Sequence, residues 1–395
     1  MSVQAGARAG GRRFGIGAVV VTGVGLLLFA LGLLVDPRRA YFSYLAAYAF
    51  GLSLALGSLA LVMIGHVTGA RWFVVLRRLS ENVAATLPLF AILFIPVLLG
   101  MGELYSWVPP LENVSARTAE LIHKKSAYLN VPFFVVRAVI YFAVWIALAL
   151  ILRRWSLRQD EEGGEIHARS MRSLSAGGMI PFALTLSFAA FDWLMSLTPE
   201  FISTIFGVYY FAGGILAALA LLGALTFSLQ RRGDLEDLVA ASHYHALGKL
   251  LLTFLIFWAY IAFAQALIVW IGDLPSEVPW YIDRATGSLA PLGIVLIIGH
   301  FFLPFFLLLS RSLKRRPGFI LMVSAWILLM HFVDIYWLVL PVLHPGVLVP
   351  HWLDVAALAL VAGAMASYGA WRTVRAPLTA RGDPYYESSL EYSGG

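Results

Sequence analysis

Hydrophobic residues are not spread along this chain at a helical or strand period facing one core. They come in long uninterrupted runs separated by polar or proline-containing breaks. A bilayer core of about 30 Å needs about 20 apolar residues at 1.5 Å rise each. Ten runs of that length can be traced, at roughly 14–35, 41–66, 83–102, 132–152, 176–198, 203–229, 247–271, 288–310, 319–340 and 351–372. Alternating ten-residue segments of a membrane barrel are absent. The pattern predicts an all-α integral membrane protein of ten transmembrane helices.

Composition agrees. Of 395 residues, 60% are hydrophobic and only 13% are charged, about half the charge that covers a soluble domain. With no cysteine, the chain holds no disulfide, no cysteine-ligated iron–sulfur cluster and no covalently attached c-type haem. The net charge of +6 is explained by topology. Of the 28 Lys and Arg residues, 20 fall at the N-terminus, in the loops after spans 2, 4, 6 and 8, and at the C-terminus, against 6 in the opposite loops. By the positive-inside rule both termini are expected in the cytoplasm. Span 1, preceded by Arg8, Arg12 and Arg13, is expected to be retained rather than cleaved. Nucleic-acid binding drops out.

Little is left outside the spans. The loop after span 3 holds a polar stretch, Ser115 to Lys125, expected to form a short interfacial helix capped by Ser115. The loop 153–175 mixes Arg153, Arg154 and Arg158 with an acidic run, Asp160, Glu161, Glu162 and Glu165, and the tail after Pro377 is expected to lack a fold of its own. Spans 2 to 5 (41–198) and 6 to 9 (203–340) share weak correspondences. Pro199 follows Asp192 by seven residues, as Pro341 follows Asp334; Tyr141 follows Pro132 by nine, as His300 follows Pro291; Tyr48 and Phe50 match Tyr209 and Phe211. Two pseudo-repeated four-helix bundles with spans 1 and 10 peripheral, and a cytoplasmic tail at 376–395, are the expected layout.

Charges inside a membrane are costly, about 2.5 to 3.5 kcal/mol each on insertion scales, and mark function by default. Arg137, Asp192, His331 and Asp334 are expected on the periplasmic half, His331 and Asp334 sharing a face at i, i+3. Tyr141, Tyr260 and His300 are expected near the centre. Glu81, His245 and Lys249 would form a cytoplasmic mouth; the structural reading of His66, Glu81, His243 and His245 is ordinary interfacial residues, and that of Lys249 a snorkelling side chain. The functional reading is a proton path, Arg137 tuning Asp192 by its charge; the structural reading is a buried ion pair that fixes packing. Dry, locked surroundings for Asp192 and Asp334 would favour the latter. Bis-histidine haem needs two histidines at matched depth, which His300 and His331 do not offer. A quinone pocket needs a polar group beside an aromatic cleft, for which Trp193, Phe257, Trp258, Trp326 and Trp337 are candidate walls. No nucleophile triad, phosphate loop or metal cluster is present. A stand-alone transporter is disfavoured because no span shows a clear Gly/Pro break at mid-membrane.

Four strings then narrow the reading: SMRSLSAGG (Ser170 to Gly178), SFAAFDWLMSL (Ser187 to Leu197), STIFGVYYFAG (Ser203 to Gly213) and LGKLLLTFLIFWAYIAFAQ (Leu247 to Gln265). With the ten-span layout, nearly the whole chain resembles the ActF-type membrane subunits of bacterial alternative complex III, in the NrfD/PsrC-like family. The resemblance implies a non-redox subunit of a quinol:cytochrome c or quinol:acceptor oxidoreductase. Its partners would be a sister NrfD-like membrane subunit, a multihaem cytochrome c subunit, an iron–sulfur subunit, other small membrane subunits and, in some assemblies, a terminal oxidase. Haem and iron–sulfur centres would belong to those partners, with a quinone or lipid the only ligand of this chain. Proton translocation, quinone binding and pure scaffolding are the roles so implied.

Overall fold

The computed structural model describes residues 2–111, 114–235, 238–374 and 376–393, leaving aside the side chains of residues 2–14 and 374. The described residues fold almost entirely as helix, without strands. Ten helices are long and apolar enough to cross a membrane: Gly15–Val35, Pro37–Thr68, Arg71–Leu99, Val131–Glu162, Glu165–Leu197, Phe206–Arg231, Ala241–Gly272, Gly287–Leu309, Pro317–Val342 and Trp352–Thr373, hereafter spans 1 to 10.

Span 2 is the axis of the molecule. Asp36 caps it by accepting a bond from the Arg39 backbone N–H, and Pro37 takes the first helical position, where no N–H is needed. Its apolar window is 94% buried, against 22% for span 1, so span 2 faces protein while span 1 faces lipid. Helices in lipid gain little from hydrophobicity alone and associate by close packing of small residues. Gly57 of span 2 provides such a contact: a Cβ there would lie 2.3 Å from the Gly214 carbonyl oxygen of span 6. Spans 1 and 10 run antiparallel as a pair, approaching closely at Gly25 and Leu360 and at Gly363 and Thr22. Arg39 and Ser43 tie this pair to span 2, both donating to the Asp354 carboxylate, at 2.7 and 2.6 Å.

Several expectations are corrected. Spans 4 and 5 extend well past the membrane length, so 153–175 is helical apart from a break at Gly163 and Gly164, both at positive φ. Two spans are interrupted. Span 3 breaks around Thr86 and Phe94, beside Pro88 and Pro96, and the hydroxyls of Tyr44 and Tyr48 donate to the carbonyls of Leu93 and Phe90, at 2.6 and 3.1 Å. Those two tyrosines are one turn apart on span 2, so their spacing matches the carbonyls exposed by the break. Span 8 carries a π-helical segment, Leu296–Phe302, before Pro304; the Gly299 carbonyl accepts from the Trp326 indole at 2.7 Å. The tail is not structureless either. It forms a helix, Tyr386–Leu390, and docks across the end of the bundle that carries both termini. The expected helix after Ser115 is present as Ala116–Lys124, with the Ser115 hydroxyl accepting from the Thr118 N–H.

Candidate functional site

Three groups of buried polar residues emerge, and they differ in kind. The first joins spans 4 and 5. Arg137 donates from Nε and Nη2 to the two oxygens of Asp192, at 2.7 and 3.0 Å, and the Tyr141 hydroxyl donates to Oδ2 at 2.7 Å. Arg137 also donates to the Tyr128 carbonyl and lies under the Tyr128 ring, 3.9 Å from its centroid. Asp192 is completely buried. Around it Trp193 packs against Tyr48, Phe94, Phe142 and Trp145. A bidentate guanidinium in a filled aromatic setting holds helices in register, so Asp192 fits the structural reading better than the relay expected for it.

The second group joins spans 2, 6, 7, 8 and 9. Asp334 is buried, accepts from the Tyr209 hydroxyl at Oδ1, and accepts from the Trp258 indole at Oδ2, 3.2 Å away. Among the described residues no cation pairs with it. One turn back, His331 Nε2 meets the Ser53 hydroxyl at 2.8 Å. Ser53 spends its own proton on the Phe50 carbonyl, so Nε2 carries the imidazole proton and Nδ1 is a bare acceptor. The Trp258 ring also lies against His300, tilted by 35° with centroids 4.0 Å apart, and the His300 and His331 rings are 6.4 Å apart. Both nitrogens of His300, and Nδ1 of His331, have no protein partner. Gly213 makes this arrangement possible, since a Cβ there would sit 2.8 Å from His331 Cε1. Buried polar atoms are rarely left unpaired, and here three imidazole nitrogens are; in the first group the Trp193 indole and the Tyr128 hydroxyl also lack partners.

Beside that cluster lies a cavity of about 480 Å³, walled by Tyr209, Trp258, Tyr281 and Trp337 and opening sideways between spans 7 and 8 at Phe263 and Phe302. The two outer residues are exposed on the apolar surface, so the mouth faces lipid. Trp337 Nε1 is buried without a partner. Gln265 donates to the Tyr281 hydroxyl at 3.2 Å. Burial pushes the Tyr281 phenol up to about 12, so it keeps its proton as a donor at neutral pH.

The third group lies at the end carrying the termini. Arg77 pairs with Glu81 and Asp383; Arg78 pairs with Glu81 and Asp160. The Ser156 hydroxyl also donates to Glu81. The tail closes over this layer: Ser389 accepts from the Val75 N–H and its carbonyl meets His243, while Gly382 donates to Asp160. A Cβ at Gly382 would fall 1.9 Å from the Gln159 carbonyl oxygen, so only glycine lets the strap pass.

Of the residues singled out from the sequence, the structure therefore gathers Arg137, Asp192 and Tyr141 at one place and His300, His331 and Asp334 at another. Glu81 is inside an ion-pair network rather than at an open mouth. His245 is buried and Lys249 exposed near it, and no hydrogen bond among the described residues joins these three to Asp334. Tyr260 is 64% exposed on the outer face of span 7, away from every group described. Tyr209, Trp258 and Ser53, the direct partners of Asp334 and His331, were not legible as such: Tyr209 stood out only as a repeat match and Trp258 as a wall residue. No family model matches the sequence, and no curated protein matches it.

Proposed function

We propose that this chain is the ActF-like, non-redox membrane subunit of a quinol:cytochrome c or quinol:acceptor oxidoreductase in a bacterial inner membrane, both termini cytoplasmic, and that it exchanges protons through the second half of the fold. The observation that carries the proton role is Asp334, a buried carboxylate held among the described residues by Tyr209 and Trp258 alone, next to three imidazole nitrogens without partners there. A carboxylate paired with arginine keeps one charge state; one held by neutral donors can take up and release a proton without stranding a cation. Asp192, locked to Arg137, braces the first half.

The duplicated layout belongs to the same reading. Asp192 and Asp334, Tyr141 and His300, and Tyr48 and Tyr209 are matched pairs, and the substitution of His300 for Tyr141, with no counterpart to Arg137 beside Asp334, is how one copy became a brace and the other an exchange site. Electrons would travel in the haem and iron–sulfur partners, so coupling to this chain is conformational or electrostatic.

A second reading, quinone binding, is favoured by the lateral cavity. An isoprenoid quinone entering from lipid would find aromatic walls and two donors, Tyr281 and Trp337, for its carbonyls. W337F and Y281F should then each weaken retention of a quinone analogue, while leaving the fold intact. Membership of the complex is tested by purifying the chain from native membranes: co-purification of a multihaem cytochrome c and an iron–sulfur subunit with quinol oxidation supports it, and isolation as a lone protein overturns it.

A further inference from the structure

At the end of the bundle carrying the termini, Leu150, Arg153, Arg154, Leu157 and Arg158 recur at i, i+3, i+4, i+7 and i+8 and so share one stripe of span 4. With Arg372 of span 10 they line a cleft of about 240 Å³, in which the sole carboxylate is Glu161. Arg153 is 4% exposed. Its Nη1 has no hydrogen-bond partner, and neither does Nε of Arg372.

The contrast with the adjoining layer is what points to a ligand. Arg77 and Arg78, equally buried at the same end, each have two carboxylates. Arg153 makes no ion pair among the described residues, and Glu81, the acid whose charge reaches it, is already shared by those two arginines. Leaving one charge buried and unpaired is far costlier than burying a pair, so a guanidinium in this position calls for an anion from outside the chain. A planar fork of N–H donors suits phosphate oxygens. The cleft begins where the apolar surface of span 4 ends, and Leu150 and Leu157 give an acyl chain something to lie against.

We propose that this cleft binds the phosphate head group of an anionic phospholipid, with Arg153 and Arg372 at its floor and Arg154 and Arg158 at its rim. The site is independent of Asp334 and of the assembly proposed above.

The test uses the full chain, purified in detergent, stripped of lipid and titrated with cardiolipin or phosphatidylcholine under native mass spectrometry. Cardiolipin should be retained at least tenfold better than phosphatidylcholine. R154Q/R158Q, altered only at exposed positions, should lower that retention roughly ten- to thirtyfold through the loss of two arginine contacts at head-group depth. R153L, which removes the unpaired charge, should lose the preference while its thermal stability in lipid-free micelles is kept or raised. Equal retention of both lipids, or an unchanged preference in R154Q/R158Q, overturns the site. Millimolar inorganic phosphate that displaces cardiolipin completely would make it a free-anion site and overturn the lipid assignment.

Discussion

Replacing Arg137 by leucine leaves the Asp192 carboxylate fully buried with one remaining side-chain donor, Tyr141, in place of three. Removing one partner of a buried pair costs about 3–5 kcal/mol. R137L belongs at the upper end, because the stranded carboxylate is completely buried. D192L strands Arg137 instead, but that guanidinium keeps the Tyr128 carbonyl and ring, so a cost of about 3 kcal/mol is expected. The double variant R137L/D192L buries two apolar side chains and should lose no more than about 2 kcal/mol. The two single effects therefore exceed the double by several kcal/mol, well beyond the roughly 0.5 kcal/mol within which independent sites add. Unfolding by dodecyl sulfate in mixed micelles, followed by tryptophan fluorescence with Trp193 at the centre of the affected cluster, measures all three. Additivity within about 0.5 kcal/mol would refute the view that Asp192 and Arg137 act as one brace.

Two further outcomes follow from packing. G57A drives a methyl into the Gly214 carbonyl across the axis of the molecule, and overpacking of this kind should cost about 1–3 kcal/mol, read as a lower thermal midpoint in detergent. D383N removes the tail's carboxylate from Arg77; the tail should then be cut by protease much faster than in the parent protein while the spans stay protected, and equal cleavage rates would argue against a docked strap.

The number of spans and their order could be read directly, because 20 successive apolar residues have few other uses. Interruptions could not. Span 3 reads as one run because two isolated prolines, Pro88 and Pro96, leave the surrounding stretch strongly apolar, and the broken backbone is satisfied by Tyr44 and Tyr48 from a helix elsewhere in the sequence. The π segment at His300 leaves no hydropathy signal at all. Residue type identified the buried charges, but helical phase without a neighbour leaves rotation open: Tyr260 turned outward, whereas Tyr209, the seventh residue of the run that starts at Ser203, turned in to meet Asp334. The tail was misread because its polar residues suggest solvent, when Asp383 and Ser389 are buried against Arg77 and Val75. Long-range polar pairing, rather than local pattern, decides each of these cases.

The central claim is that Asp334, and not Asp192, exchanges protons. It is tested most directly by the proton-to-electron ratio of the assembled complex in sealed vesicles carrying D334N. Asparagine keeps the shape and both contacts, with Oδ1 accepting from the Trp258 indole and Nδ2 donating to the Tyr209 hydroxyl, so the account predicts that quinol oxidation continues while the ratio falls. A D334N complex that translocates protons at the parental ratio, at undiminished turnover, would contradict it.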